Sequence, residues 1–233
     1  MIDSKRLDNS QLTFDLVPKL NQGREDLIES SSNALAIAMI DVWPNWPGPI
    51  TILSGPNGSG KSHIASVWAA LSCSAVIVAD QLVKENNTQL IDGCEKNSLV
   101  IEDVTAGVMD ETVLFHILNV LKENDNHCLI TSTSGVGDWK IGLPDLKSRL
   151  QAAQMVNLEE PDELFLGQVM MKHFSDRQVQ VEAKVIQYCM LRMERSLDAA
   201  RRLAIEMDRL AMIEKKEIGL RIAANALQNL GMG

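Results

Sequence analysis

Apolar residues fall along this chain in two rhythms. As far as Glu160 they come as short unbroken runs: ITILS at Ile50–Ser54, AVIVA at Ala75–Ala79, SLVIEDV at Ser98–Val104, HCLITS at His127–Ser132 and MVNL at Met155–Leu158. Runs this short and rich in β-branched residues predict strands of a parallel sheet covered on both faces. Helical patterns lie between them. SNALAIAMIDV at Ser32–Val42 must end at the pairs Trp43-Pro44 and Trp46-Pro47, and a second helix runs from near Gly60 through IASVWAAL. A third covers Glu111 to Lys122, and a short one covers PDLKSRL. After Pro161 the rhythm changes: ELFLGQVMMKHF, VEAKVIQYCMLRM, SLDAARRLAIEMDRLAM and EIGLRIAANALQNL all repeat with helical spacing, with no further strand candidate. The prediction is an α/β domain with a parallel sheet over residues 23–160, then a small all-helical domain over 161–233. Residues 1–22, polar with one alternating stretch, QLTFDL, read as a loosely attached arm.

Composition narrows the function. Of 233 residues 45% are hydrophobic and 23% charged, with 22 Lys+Arg against 31 Asp+Glu and a net charge of −9. Proteins that live on duplex DNA usually carry a basic stripe. Here only Arg192, Arg195, Arg201 and Arg202 cluster, so specific DNA binding is not expected. No run approaches a membrane span and the polar start lacks a secretory signal, so a cytoplasmic protein without membrane attachment is expected. Cys73, Cys94, Cys128 and Cys189 lie far apart, without metal-ligand spacing, and read as small apolar residues of a reducing compartment.

The sharpest signal is Gly55-Pro56-Asn57-Gly58-Ser59-Gly60-Lys61-Ser62, a full G-x-x-x-x-G-K-[ST]. Its glycines let backbone N–H groups cradle phosphates at a helix N-terminus. Lys61 supplies charge to the β- and γ-phosphates, and the Ser62 hydroxyl holds Mg²⁺. The strand before the loop and the helix after it supply the context that the motif demands. ADP or ATP with Mg²⁺ is the expected ligand, on a stretch running through His63. The four histidines show no base–nucleophile arrangement and otherwise carry no assigned chemistry.

Phosphate chemistry also needs an apolar strand ending in acid, beside the metal and the attacking water. LVIED provides Glu102 as candidate metal ligand and Asp103 as candidate catalytic acid, although strands often end in Asp at a loop. Thr131-Ser132-Thr133 closes the fourth strand, where Thr133 either senses the γ-phosphate or merely caps the sheet edge. Arg149 and Arg195 are the remaining basic candidates; an isolated Arg is ordinarily a solvated surface residue.

The P-loop GPNGSGKSH, the strand LVIED, the strand end TST, the segment LPDLKSRL and the arginine in MERSLDAARR together resemble the DnaA-related AAA+ ATPases, most closely the shorter Hda-type regulators of DnaA. The resemblance implies a P-loop AAA+ domain followed by a helical lid, with Arg149 as arginine finger and Arg195 as the lid arginine called sensor II. A finger acting on another molecule is expected to face the exterior. Hda-type proteins also carry an N-terminal Gln-Leu-x-Leu-x-Leu segment that docks on the sliding clamp of the replicative polymerase, and Gln11, Leu12, Phe14 and Leu16 fit it. On spacing alone those residues read rather as a strand or arm packing on its own domain. The sequence offers no counterpart of DnaA's C-terminal helix-turn-helix. The partners implied are the clamp and DnaA, with self-association possible. The alternative is an autonomous DnaA-like ATPase or helicase loader. Two departures bear on hydrolysis: Glu102 stands where the family carries Asp, and Asp103 where most AAA+ motors carry a longer Glu.

Overall fold

The computed structural model describes residues 23–83 and 87–232. Five strands form one parallel sheet: β1 (Ile50–Ser54), β2 (Ala75–Val78), β3 (Leu99–Glu102), β4 (Cys128–Ser132) and β5 (Gln154–Asn157), in the order β2-β3-β4-β1-β5. Alternation along each strand divides the core in two. Ile50, Ile52, Leu99, Ile101, Cys128 and Ile130 face one layer; Leu53, Val100, Leu129 and Val156 face the other. The first layer is closed by α3 (Asn87–Cys94), α4 (Glu111–Glu123) and α5 (Pro144–Gln151), the second by α1 (Ala34–Asp41) and α2 (Lys61–Ser72). Each such fully buried aliphatic side chain contributes about 1.5–3 kcal/mol, which is why the apolar runs could be read as strands.

Three elements differ from the sequence reading. AVIVA and MVNL are not covered on both faces: β2 and β5 are edge strands, with Val76, Val78 and Met155 exposed and, within β2, only Ile77 packed on the core. Helix α3 was not expected as an element at all, because NTQLIDGC spaces few apolar residues along a helical face.

Beneath the sheet, at the end where its strands begin, Trp46 stacks on Trp68 at 4.9 Å and meets His127 edge-on at 5.4 Å. The Trp46 indole N–H donates to Met39 O at 2.8 Å, tying the turn after α1 back onto that helix. Burial pushes the His127 imidazole below its usual range, against a smaller opposing pull from Asp125.

After β5 the chain enters four helices, α6 (Glu163–Asp176), α7 (Ala183–Met190), α8 (Leu197–Glu214) and α9 (Leu220–Asn229). They enclose a core of their own, including Leu166, Met170, Phe174, Leu203, Met207, Ile222 and Leu227. Asp162 and Ser196 cap α6 and α8 by accepting from Phe165 N and Ala199 N. Arg177 donates to the nearly buried Asp208 at 2.8 Å, fastening the end of α6 to α8. Among the described residues no helix is long and apolar enough to cross a membrane. The stretch Gln11–Leu16 lies outside the described residues.

Candidate functional site

The P-loop leaves β1 at Ser54 and enters α2 at Lys61. Its glycines are required by geometry: Gly55, Gly58 and Gly60 have φ of 153°, 74° and 99°. A side chain would also collide. A Cβ on Gly55 would sit 2.6 Å from Leu158 O, and one on Gly58 2.2 Å from Ser196 Cβ. The loop is thus enclosed by the strand exit after β5 and by the start of α8. Leu197 N donates to Gly58 O at 2.9 Å, so the helical unit is bonded directly to the loop.

Lys61 is 6% exposed and folds back over the loop, its Nζ donating to Gly55 O and Pro56 O, each at 2.8 Å. Burial lowers its pKa, and the negative charge of Asp103 opposes that shift. Ser62, one residue on, has its hydroxyl beside the Glu102 carboxylate at the end of β3. Burial raises the Glu102 pKa; the Ser62 hydroxyl lowers it, and the neighbouring Asp103 raises it further. Two hard oxygen donors from separate motifs therefore meet beside the loop, a donor set that suits Mg²⁺. Lys61, Ser62, Glu102 and Asp103 are brought together as one cluster.

β4 lies between the acid-bearing strand and the loop-bearing strand, and its hydroxyls hold the turn after β3. Asp103, at φ 58°, donates its backbone N–H to Thr131 Oγ1 at 3.0 Å. Ser132 Oγ donates to Val104 O at 2.6 Å and accepts from the Trp139 indole at 3.1 Å. Gly55 N donates to Ser132 O, joining β4 to the loop. Thr133, the residue singled out in the sequence, is exposed one step beyond the strand. The residue fixing the acidic turn is Thr131, which the sequence reading passed over; strand alternation places 131 and 133 on one side and does not choose between them.

The two arginines are held differently from each other. Arg149, on α5, does not face the exterior freely. It is half-buried, its guanidinium lies 5.1 Å from the centre of the Phe115 ring, and its Nη1 is buried with no hydrogen-bond partner. Arg195, in the turn before α8, is exposed and donates to Glu163 Oε1 at 2.5 Å. The contacts of Leu158, Ser196 and Leu197 with the loop carried no signal in the sequence, because they join segments distant along the chain.

This geometry can be set beside known proteins. The chain is 25% identical over 239 residues to the chromosomal replication initiator protein DnaA of Flavobacterium psychrophilum, an alignment covering 89% of this chain and 48% of that one. It therefore spans about half the length of the curated relative it matches. Domain III of Thermotoga maritima DnaA superposes with a TM-score of 0.72 at 19% identity, covering 90% of this chain and 97% of that one. The chain carries the AAA+ fold. AMPPCP-bound DnaA from Aquifex aeolicus has the same AAA+ architecture at a TM-score of 0.67 and 18% identity, covering 86% of this chain and 67% of that one. So does a RuvB variant of T. maritima, at 0.73 and 15%, covering 91% and 74%. No family model matches the chain. The resemblance to DnaA seen in the motifs is thus matched in sequence and in fold, while the likeness to RuvB shows that the fold alone does not choose among AAA+ proteins.

Proposed function

We propose that this protein is an adenine-nucleotide-binding AAA+ adaptor of replication control, which docks on the sliding clamp and stimulates hydrolysis of ATP bound to DnaA. The observation that carries the nucleotide reading is the cluster at the P-loop: Lys61 buried against the loop, with Ser62 and Glu102 brought together beside it. The AMPPCP held by a DnaA of the same fold supports an adenine nucleotide as ligand. Backbone N–H groups of the loop from Asn57 to Lys61 cradle the phosphates, and Lys61 exchanges its carbonyl acceptors for phosphate oxygens. Ser62 and Glu102 hold Mg²⁺, which neutralises phosphate charge when bound. Asp103 is the acid for an attacking water, and its side chain is one methylene shorter in reach than a Glu. Slow hydrolysis in the chain's own site follows.

The helical unit acts as lid. Its bond from Leu197 N to Gly58 O makes it a reader of the loop, and Arg195 needs only to exchange an exposed Glu163 to reach a phosphate. Residues 1–22, through Gln11, Leu12, Phe14 and Leu16, tether the protein to the clamp as an extended peptide placing alternate side chains in a pocket. Arg149 is then offered to the γ-phosphate of a DnaA protomer's ATP, where a finger in trans contributes several powers of ten in rate.

A second reading is an autonomous ATPase or helicase loader, favoured by the completeness of the Lys61–Ser62–Glu102 set and by the equal likeness to RuvB. One experiment separates them. Purified protein is passed over immobilised clamp, then DnaA is added, and ATP turnover of the protein alone is measured in parallel. The adaptor reading expects capture by the clamp, lost on Gln11→Ala with Leu12→Ala, and negligible turnover alone. Robust turnover alone with no clamp capture would overturn it.

A further inference from the structure

Arg149 has an unusual environment for a surface cation, and that environment comes from one helix. We propose that Phe115 and Glu111, one turn apart on α4, are the positioning residues that hold Arg149 ready for its target. This rests on the reading of Arg149 as a finger acting on a partner's nucleotide.

The contacts divide the work. Glu111 accepts from Gly142 N at 3.0 and 3.1 Å through its two oxygens, and from Leu143 N at 2.7 Å. Leu143 is the residue that caps α5, so this carboxylate fixes where that helix begins. Leu146 and Leu150 then bury one face of α5 in the core that α4 also lines, which fixes the helix's rotation. Arg149 emerges beside Leu150, and Phe115, four residues after Glu111, places its ring under the guanidinium. Residues four apart on a helix share a face, so one side of α4 controls both the start of α5 and the head of its arginine.

A ring suits this task better than a carboxylate. An acid at position 115 would pair with the guanidinium and compete with phosphate. An aromatic face attracts the cation while occupying none of its five N–H donors. The result is a guanidinium held in place, shielded from water on one side, and left with Nη1 unpartnered. Nη1 is occluded by the chain itself, and the guanidinium's other N–H donors are the ones left for phosphate oxygens. The side chain's conformational freedom is spent before the partner arrives, so the gain appears in the chemical step and not in docking.

The test uses the full chain on clamp-loaded DNA with DnaA-bound ATP, measuring maximal stimulated rate and half-saturating protein concentration. Phe115→Leu is expected to lower the maximal rate about tenfold, the scale of a modest misplacement of a reacting group. Half-saturating concentration and ADP affinity stay unchanged. Phe115→Tyr, which keeps the ring, restores the rate, and Glu111→Ala lowers it while leaving ADP affinity intact. NMR gives the direct reading: Arg149 side-chain protons shift upfield under the ring, a shift lost in Phe115→Leu and kept in Phe115→Tyr. If the Leu variant unfolds, Phe115→Met takes its place with the same expectations. A normal maximal rate without the ring, or Arg149 resonances indifferent to its removal, would overturn the proposal. Wild-type stimulation by Arg149→Ala, or no stimulation by the native chain, would remove the finger reading and the positioning role with it. An inactive Arg149→Ala beside a fully active Phe115→Leu would remove only the positioning role.

Discussion

Lys61 and Arg149 are both cations within an α/β core, and the structure satisfies only one of them. Lys61 is buried with two carbonyl acceptors from its own loop; Arg149 rests on a ring with a buried donor that has no acceptor. A buried donor left unpaired costs about 1–3 kcal/mol, so the Arg149 head is held at a cost that the Lys61 ammonium does not carry. The contrast supports two cations serving two nucleotides: Lys61 the chain's own, Arg149 a neighbour's.

The comparison can be broken most forcefully at Lys61. Lys61→Ala removes the ammonium from the phosphates and is expected to weaken ADP binding by at least about 2 kcal/mol, read by calorimetry or thermal shift. Equal ADP affinity in the variant would move the nucleotide elsewhere. Next in size is the seam between loop and helical unit. Gly58→Ala meets Ser196 at 2.2 Å and sits at φ 74°, so urea unfolding should show a loss of about 1–3 kcal/mol. Gly135→Ala, at φ −72° with nothing within 4 Å, is the matched control and should change stability little. A harmless Gly58→Ala would mean that the seam is open in solution.

The smallest effect is in pH. Burial is the leading cause that lowers the pKa of His127, and of His173 on α6. Their folded pKa values lie below the unfolded one near 6.5, so between those values the unfolded state binds more protons and stability rises with pH. Melting temperature should therefore fall as pH drops below about 6.5. His127→Gln should flatten that slope without touching ADP affinity at neutral pH. An unchanged slope would show that its burial between Trp46 and Trp43 does not suppress its charge.

What was legible in the sequence was local. The P-loop is eight consecutive residues whose chemistry depends on their own backbone, and ITILS and LVIED are runs whose burial shows in composition. Edge strand β2 misled because composition reports apolarity and not which neighbours the strand will have. Helix α3 went unseen because its apolar residues, Leu90 and Ile91 with Cys94, are few and placed by packing on α4. Thr131 was passed over for Thr133 because only the folded turn reveals which hydroxyl meets Asp103 N. Arg149 was found through a family motif, but its half-burial on Phe115 joins two helices and has no signature in either.

The central claim is that Arg149 acts on a nucleotide that this chain does not itself bind. The direct measurement follows ATP on purified DnaA with clamp-loaded DNA, adding native protein or Arg149→Ala in catalytic amounts, with ADP affinity of both determined alongside. The account predicts normal ADP binding by Arg149→Ala, loss of stimulation by at least about a hundredfold, and little rescue by Arg149→Lys, whose ammonium cannot reproduce a planar two-pronged contact. Equal hydrolysis with native protein and Arg149→Ala would contradict it.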